Sequence, residues 1–317
     1  MRRLILTSAI LGFAVIGTSV FRIHQNYTDS KTSGRVLGAH SQLNNPAINV
    51  APPPVRTTKA DPGIRAKSVY LIDVNSAYPL YAKNEDAVVP IASTTKLMTA
   101  LIARQSYLPT DIITIDEKAA AINGSTIQLK KDEQLDVQSL LTGLLIPSGN
   151  DAAMALADHM GFDQFVMAMN KQAAYLGMTN TLFKDPAGLD DTGHSSAHDL
   201  AVLASYVLRD DVIRSIVKTQ QATIVSKDGK ITHKLENSNR LIKPENPLFL
   251  ADATGLKTGF TPDAGHCLVS SATRSGNSLV SVVLNTDYTN AEASALESKK
   301  LLTWGFDSYV WNSIDHN

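Results

Sequence analysis

Apolar and polar positions fall into three regimes along the chain. Residues 4–21 are uncharged and largely apolar without a break, with Arg2 and Arg3 before them and Arg22 after. From about 27 to 64 no apolar periodicity survives, and Pro46, Pro52, Pro53, Pro54 and Pro62 interrupt the stretch. That is the composition of a disordered or polyproline-like tether. Periodic patterns begin near Arg65. Ser68-Val69-Tyr70-Leu71-Ile72-Asp73-Val74 reads as a strand, and Asn75-Ser76 turns it toward a partner at 79–82. Near the other end, 267–273 and 279–284 are β-rich around Arg274-Ser275-Gly276-Asn277, a hairpin signal. Between them the spacing predicts helices over 93–106, 137–146, 150–160, 163–176 and 197–208, with a last one over 290–304. Strands at both ends around a helical middle predict one antiparallel sheet built from both ends of the chain. No repeat of fixed period is present.

The positive head and apolar run over residues 1–26 have the layout of a signal peptide or signal anchor. The uncharged run of 18 residues is at the lower limit for spanning a bilayer, and Gly17 and Ser19 are small enough for a cleavage site. The arginines place that end on the cytoplasmic side, so the body is expected outside, in the periplasm or on the outer face of the cytoplasmic membrane. The expected layout is 1–26 export segment, 27–64 tether, 65–306 folded body and 307–317 tail. The 317 residues are 44% hydrophobic and carry 29 basic and 30 acidic side chains, net −1. No basic stripe exists for nucleic acid, which is not expected as a partner. The one cysteine, Cys267, excludes an internal disulfide and reads as a small buried hydrophobe.

Three segments carry candidate chemistry. In Ile91-Ala92-Ser93-Thr94-Thr95-Lys96-Leu97-Met98-Thr99-Ala100-Leu101-Ile102-Ala103 the residues after Lys96 are apolar almost all round. The helix is therefore expected to be buried on most sides, and a lysine there needs a reason. Ser93 and Lys96 lie about one turn apart and project from one face. A desolvated lysine shifts toward its neutral form and can take a proton from a neighbouring hydroxyl. Ser93 also falls in the first turn, where backbone N–H groups favour developing negative charge. Spacing alone does not single out this copy, because Ser215-Ile216-Val217-Lys218 has it too. That copy follows Arg209-Asp210-Asp211 and reads as an exposed helix end.

The second segment, Leu144-Leu145-Ile146-Pro147-Ser148-Gly149-Asn150-Asp151-Ala152-Ala153, is a helix–helix corner. It presents the Ser148 hydroxyl and Asn150 amide to a cleft, against the plain alternative that one of them caps the second helix. The same triplet recurs as Ser275-Gly276-Asn277 inside the hairpin turn. The third, Gly255-Leu256-Lys257-Thr258-Gly259-Phe260-Thr261, holds the chain's one Lys-Thr-Gly. Its glycines on an expected strand let a ligand backbone approach, and Lys257 offers a charge suited to a carboxylate. For the lysine alone, an exposed edge-strand position that deters aggregation is the competing reading.

Ser-x-x-Lys, Ser-x-Asn and Lys-Thr-Gly in this order are the set shared by penicillin-binding proteins and class A β-lactamases. Lys184-Asp185-Pro186-Ala187-Gly188-Leu189-Asp190, His194-Ser195-Ser196-Ala197-His198-Asp199-Leu200 and Lys299-Lys300-Leu301-Leu302-Thr303-Trp304-Gly305 extend the likeness. From about 68 to 306 the chain resembles the serine D-alanyl-D-alanine carboxypeptidase/endopeptidase family, the low-molecular-mass penicillin-binding proteins. The resemblance implies an α+β fold of β-lactamase/transpeptidase type: an antiparallel sheet packed with helices, an all-helical lobe, and the active site between them. It implies a serine-type D-Ala-D-Ala carboxypeptidase acting on peptidoglycan stem peptides in cell-wall biogenesis. Ser93 would attack the carbonyl between two D-alanines, with Lys96 as general base. Ser148 would relay a proton to the leaving amine, and Asn150 would hold the substrate and Lys96. Lys257 and Thr258 would bind the terminal carboxylate, and the N–H groups of Ser93 and Phe260 would form the oxyanion hole. Lys257 would also disfavour protonation of Lys96 through like charge. β-Lactam antibiotics are implied as covalent inhibitors, with no cofactor and no metal, and membrane contact through the N-terminal segment alone.

Two features bear on the subgroup. Many family carboxypeptidases continue into a β-rich second domain and an amphipathic C-terminal helix; with residues 307–317 alone beyond the resembling stretch, neither is expected here. Gly259-Phe260-Thr261 followed by Ala264-Gly265-His266-Cys267 is similar to the endopeptidases that cut cross-links, whereas Ser148-Gly149-Asn150 looks more like the carboxypeptidases. Both readings stay open. A class A β-lactamase needs a glutamate after the Ser-x-Asn element to activate the deacylating water, and the first one after Ser148 is Glu236. A non-catalytic peptidoglycan-binding protein is the rival of another class, and intact Ser93, Lys96, Ser148 and Lys257 argue against it. His194 and His198 read as a solvated loop pair without a third zinc ligand.

Overall fold

The structure is a computed structural model that describes residues 51–311 apart from Lys59 and Tyr288. The export segment and the tether up to residue 50 lie outside the described residues. Five strands, β1 (Ser68–Asp73), β2 (Tyr78–Lys83), β3 (Ala253–Thr261), β4 (Gly265–Arg274) and β5 (Asn277–Thr286), form one sheet. It is antiparallel throughout, in the order β3-β4-β5-β1-β2, so both ends of the chain meet at the β5–β1 pairing. Successive strand side chains point to opposite faces, and here both faces are covered. Val69 and Leu71 of β1 and Leu279 and Val283 of β5 enter one core, whereas Tyr70, Ile72, Val280, Val282 and Leu284 enter the other.

The second of these cores continues into a helical lobe. Its axis is α1 (Lys96–Ser106), entered from a 3-10 turn at Ala92–Thr95 and packed against α2 (Val137–Leu145), α3 (Asn150–Met160), α4 (Phe162–Tyr175) and α5 (Ala197–Val207). Every residue of α1 from Lys96 to Ala103 is buried, as a helix apolar on all sides requires. The side chains of Asp136 and Ser196 cap α2 and α5, and Asp210 caps α6 (Asp211–Val217). The first core is closed by α7 (Ala293–Ser308), whose Leu301, Leu302 and Phe306 pack on the sheet. Among the described residues no helix is long and apolar enough to cross a membrane.

Both expected limits of the folded body are too tight. Val55–Arg56 pairs antiparallel with Tyr309–Val310, and Thr57 hydrogen-bonds through its hydroxyl to Ser308, 251 residues away. Ile64 is buried in the core, and the Tyr309 hydroxyl donates to the Leu80 carbonyl at 2.8 Å. Residues 51–64 and 307–311 therefore belong to the body. Two-residue strands leave no periodicity to read, and the partners lie about 250 residues apart in sequence. A further hairpin, Gln221–Val225 with Thr232–Glu236, also escaped the sequence reading. His194 and His198 do not share a loop: His194 lies on a two-residue strand paired with Val89–Pro90. His198 stands on the first turn of α5, with its ring 3.4 Å from Asp86.

Candidate active site

Helices α1 and α3 converge on the side chain of Lys96. Its Nζ lies 2.8 Å from Ser93 Oγ, 2.8 Å from Asn150 Oδ1 and 2.7 Å from the Ala187 carbonyl. The 3-10 turn brings Ser93 onto the same face as Lys96, and Asn150 reaches across from the first turn of α3. Asn150 Nδ2 donates to the Asn123 carbonyl at 2.8 Å, which leaves the amide oxygen to face the lysine. Lys96 is fully buried. Burial drives its pKa down from the ordinary lysine value to about 7, against Asp185 and Asp151, whose charges favour the ammonium. A lysine that sheds its proton near neutrality while touching a hydroxyl is suited to general-base work.

The corner before α3 does not do what a simple cap would. Gly149 is the N-cap and no side chain caps the helix, so Asn150 is left to Lys96 and Asn123. Ser148 is buried and holds φ at 72°, a left-handed conformation that a non-glycine residue keeps only where its surroundings impose it.

Strand β3 runs beside the turn that carries Ser93. A Cβ on Gly259 would stand 3.0 Å from the Ile91 carbonyl oxygen and 3.1 Å from the backbone nitrogens of Ser93 and Thr94, which only glycine avoids. Although β3 is an edge strand, Lys257 is 1% exposed, so it is no solvent-facing guard of that edge. Burial first, and then the neighbouring Lys96 ammonium, hold its pKa well below the usual lysine range. Its Nζ donates to the Thr258 carbonyl at 2.9 Å, and Thr258 Oγ1 shares a 2.7 Å hydrogen bond with Ser238 Oγ. Phe260, exposed, stacks on His266 with ring centroids 4.3 Å apart.

Ser93, Lys96 and Asn150 thus meet by direct hydrogen bonds. Ser148 stands just before Asn150 at the head of α3, and Lys257, Thr258 and Phe260 lie on β3, which Gly259 brings against the Ser93 turn. The carbonyls of Ala187 and Asn123, and the Ser238 hydroxyl, are parts of the arrangement that sequence reasoning missed. Backbone carbonyls carry no residue signature, and Ser238 sits outside all three segments. The competing motif copies stand apart. Ser215 and Lys218 are exposed at α6, and Ser275-Gly276-Asn277 is the β4–β5 turn. Cys267 is fully buried, with its thiol pushed up to about 12 by burial, so it is no nucleophile. Glu236 lies on the exposed hairpin, paired with Lys243.

The sequence and the fold of the chain match known proteins. The profile of the D-alanyl-D-alanine carboxypeptidase family matches residues 55–288. The D-alanyl-D-alanine carboxypeptidase DacF of Bacillus subtilis is 36% identical over 252 residues, which is 77% of this chain and 63% of that protein. The D-alanyl-D-alanine endopeptidase of Pseudomonas aeruginosa is 34% identical over 244 residues, 75% of this chain and 77% of that protein. The crystal structure of the Streptomyces K15 DD-transpeptidase matches with a TM-score of 0.72 at 32% identity, covering 79% of this chain and 100% of that one. The chain spans about 63% of the length of the curated carboxypeptidases it matches first. The chain belongs to the D-alanyl-D-alanine carboxypeptidase family.

Proposed function

We propose that this chain is an exported serine D-Ala-D-Ala carboxypeptidase that trims peptidoglycan stem peptides through an acyl-enzyme on Ser93. The observation that carries the reading is the buried Lys96, 2.8 Å from Ser93 Oγ with a pKa of about 7. Neutral Lys96 takes the Ser93 proton as Oγ attacks the carbonyl between the two D-alanines. The N–H groups of Ser93 and Phe260 receive the oxyanion, where the close approach of Gly259 to Ser93 gives the two backbones one pocket. Ser148 passes the proton to the amine of the departing D-alanine, and water then hydrolyses the ester to regenerate Ser93. Lys257 and Thr258 bind the terminal carboxylate, and the arriving anion restores the ammonium that burial disfavours at Lys257. A β-lactam presents the same amide and acylates Ser93; the first glutamate after Ser148, Glu236, lies exposed on the hairpin and paired with Lys243. Export through residues 1–26 places the enzyme in the periplasm or on the outer face of the membrane, where its substrate is.

A second reading, an endopeptidase that cuts D-Ala-containing cross-links, has one specific support. Gly259-Phe260-Thr261 followed by Ala264-Gly265-His266-Cys267 is similar to the endopeptidase subgroup. Product analysis on defined muropeptides separates the two. Free D-alanine released from monomeric pentapeptide is the expected result; cleavage of cross-linked dimers with no D-alanine release would replace the carboxypeptidase by the endopeptidase.

A further inference from the structure

We propose that Asp185 is a positioning residue for the Ser93 and Lys96 pair, acting through the carbonyl of Ala187. The proposal rests on the reading of Lys96 as the base. The loop from Asp185 to Asp190 contains neither helix nor strand, yet it supplies the shortest of the three hydrogen bonds to Lys96. What orders it is one carboxylate. Asp185 Oδ1 accepts from the backbone N–H of Ala187 and of Gly188, each at 2.6 Å, and Oδ2 accepts from those of Leu189 and Asp190 at 3.0 and 2.8 Å. Four donors on one side chain wrap the loop around it.

The wrapped loop is then seated on the nucleophile's turn. Gly188, at φ +74°, lies so close that a Cβ would stand 2.0 Å from the Ala92 carbonyl oxygen, and Ala92 itself holds φ at 47°. One turn further along α1, Thr99 Oγ1 donates to the Pro186 carbonyl at 2.6 Å. Between these two anchors the Ala187 carbonyl accepts from Lys96 Nζ at 2.7 Å and from Ser93 Oγ at 3.3 Å. It therefore fixes the lysine beside the hydroxyl and competes with it for the same protons. No side chain at Ala187 can be changed to remove that carbonyl, so Asp185 is the handle.

Asp185 also acts on the base through space. The charged groups facing Lys96 are Asp185 from this loop, Asp151 from α3 and Lys257 from β3, which like Lys96 is driven toward its neutral form. The two carboxylates work against burial. A stronger base drives proton transfer better but is less often free at neutral pH, and the balance is best when its pKa lies near working pH. The sign for Asp185 follows. Without its charge the ammonium loses support, the Lys96 pKa falls below about 7, and the acid limb of acylation moves to lower pH.

The experiment measures the rate of Ser93 acylation by a fluorescent penicillin across the acid limb, with the label mapped to its residue and the melting temperature taken for each variant. For Asp185→Asn the limb moves to lower pH while the plateau falls by roughly ten- to a hundredfold, the scale of a misplaced catalytic group. Asp185→Glu keeps the charge but displaces it from the four N–H groups, so its plateau falls and its limb stays. A folded Asp185→Asn with the wild-type limb and plateau overturns the proposal. So does a limb that stays in place in both variants while only the melting temperature drops, since that is a purely structural turn. If the wild type carries no label on Ser93, the reading beneath the proposal fails and takes the proposal with it, which the mapping distinguishes.

Discussion

The quartet Ser-x-x-Lys occurs twice in this chain, and the two copies share spacing but not surroundings. Ser93 and Lys96 open α1, where Lys96 is fully buried and hydrogen-bonded to three acceptors. Ser215 and Lys218 close α6 in solvent, where the Ser215 carbonyl merely accepts from the Thr219 hydroxyl at 2.9 Å. One turn of helix brings serine and lysine together in either place. What makes a base is desolvation, which drives a buried ammonium toward its neutral form. The motif is a necessary geometry, and the fold around it decides whether chemistry follows.

The largest expected effect is at the nucleophile. We expect Ser93→Ala to abolish covalent labelling by penicillin and the release of D-alanine, since it removes the hydroxyl that Lys96 contacts at 2.8 Å. Intact mass spectrometry with peptide mapping checks it. Label found on Ser215 in the wild type would invert the assignment of the two copies.

Next comes the base. Arginine stays protonated in proteins, so Lys96→Arg should cut acylation by about 10²–10⁴-fold, the usual contribution of general-base catalysis. The wild-type rate should rise with pH through about 7, because only the neutral lysine can accept the proton, and the arginine variant should lose that limb. Asn150→Ala follows with a smaller loss. It deletes an acceptor of the ammonium, so the limb should also shift to lower pH, while acylation falls by roughly tenfold, about the 1.4 kcal/mol of a single good hydrogen bond. A limb that moves upward in that variant would mean Asn150 acts on the substrate alone.

How much of this was legible follows from how far each signal depends on distant parts of the chain. The helix from Lys96 announced itself, because a lysine in an all-round apolar run has few explanations. Strand β1 was legible from its own composition, and so was the Ser275-Gly276 turn. Ser148 and Asn150 could be placed at a corner but not relieved of a capping role, since that depends on Gly149 serving as N-cap and on Asn123 and Lys96 arriving from elsewhere. Lys257 had two readings until its edge strand proved to be packed against the Ser93 turn. The pairing of Val55–Arg56 with Tyr309–Val310 and the carbonyl of Ala187 left no trace at all. One joins segments about 250 residues apart, and the other is a backbone atom whose aim is set by a loop.

The smallest effects are expected at the second motif copies. Ser215→Ala removes an exposed hydroxyl from the last turn of α6, near a cap formed by Lys218. Ser275→Ala removes one from the β4–β5 turn, at a residue whose φ of 51° alanine tolerates about as poorly as serine. Surface changes of this kind usually alter stability by no more than about 0.5 kcal/mol, and neither side chain hydrogen-bonds to a residue of the site. Both variants should therefore melt within a degree or two of the wild type for a body of this size and be labelled by penicillin at the wild-type rate. A labelling defect in Ser215→Ala with an unchanged melt would show that the exposed quartet contributes to the reaction. Burial would then no longer be what separates the two copies.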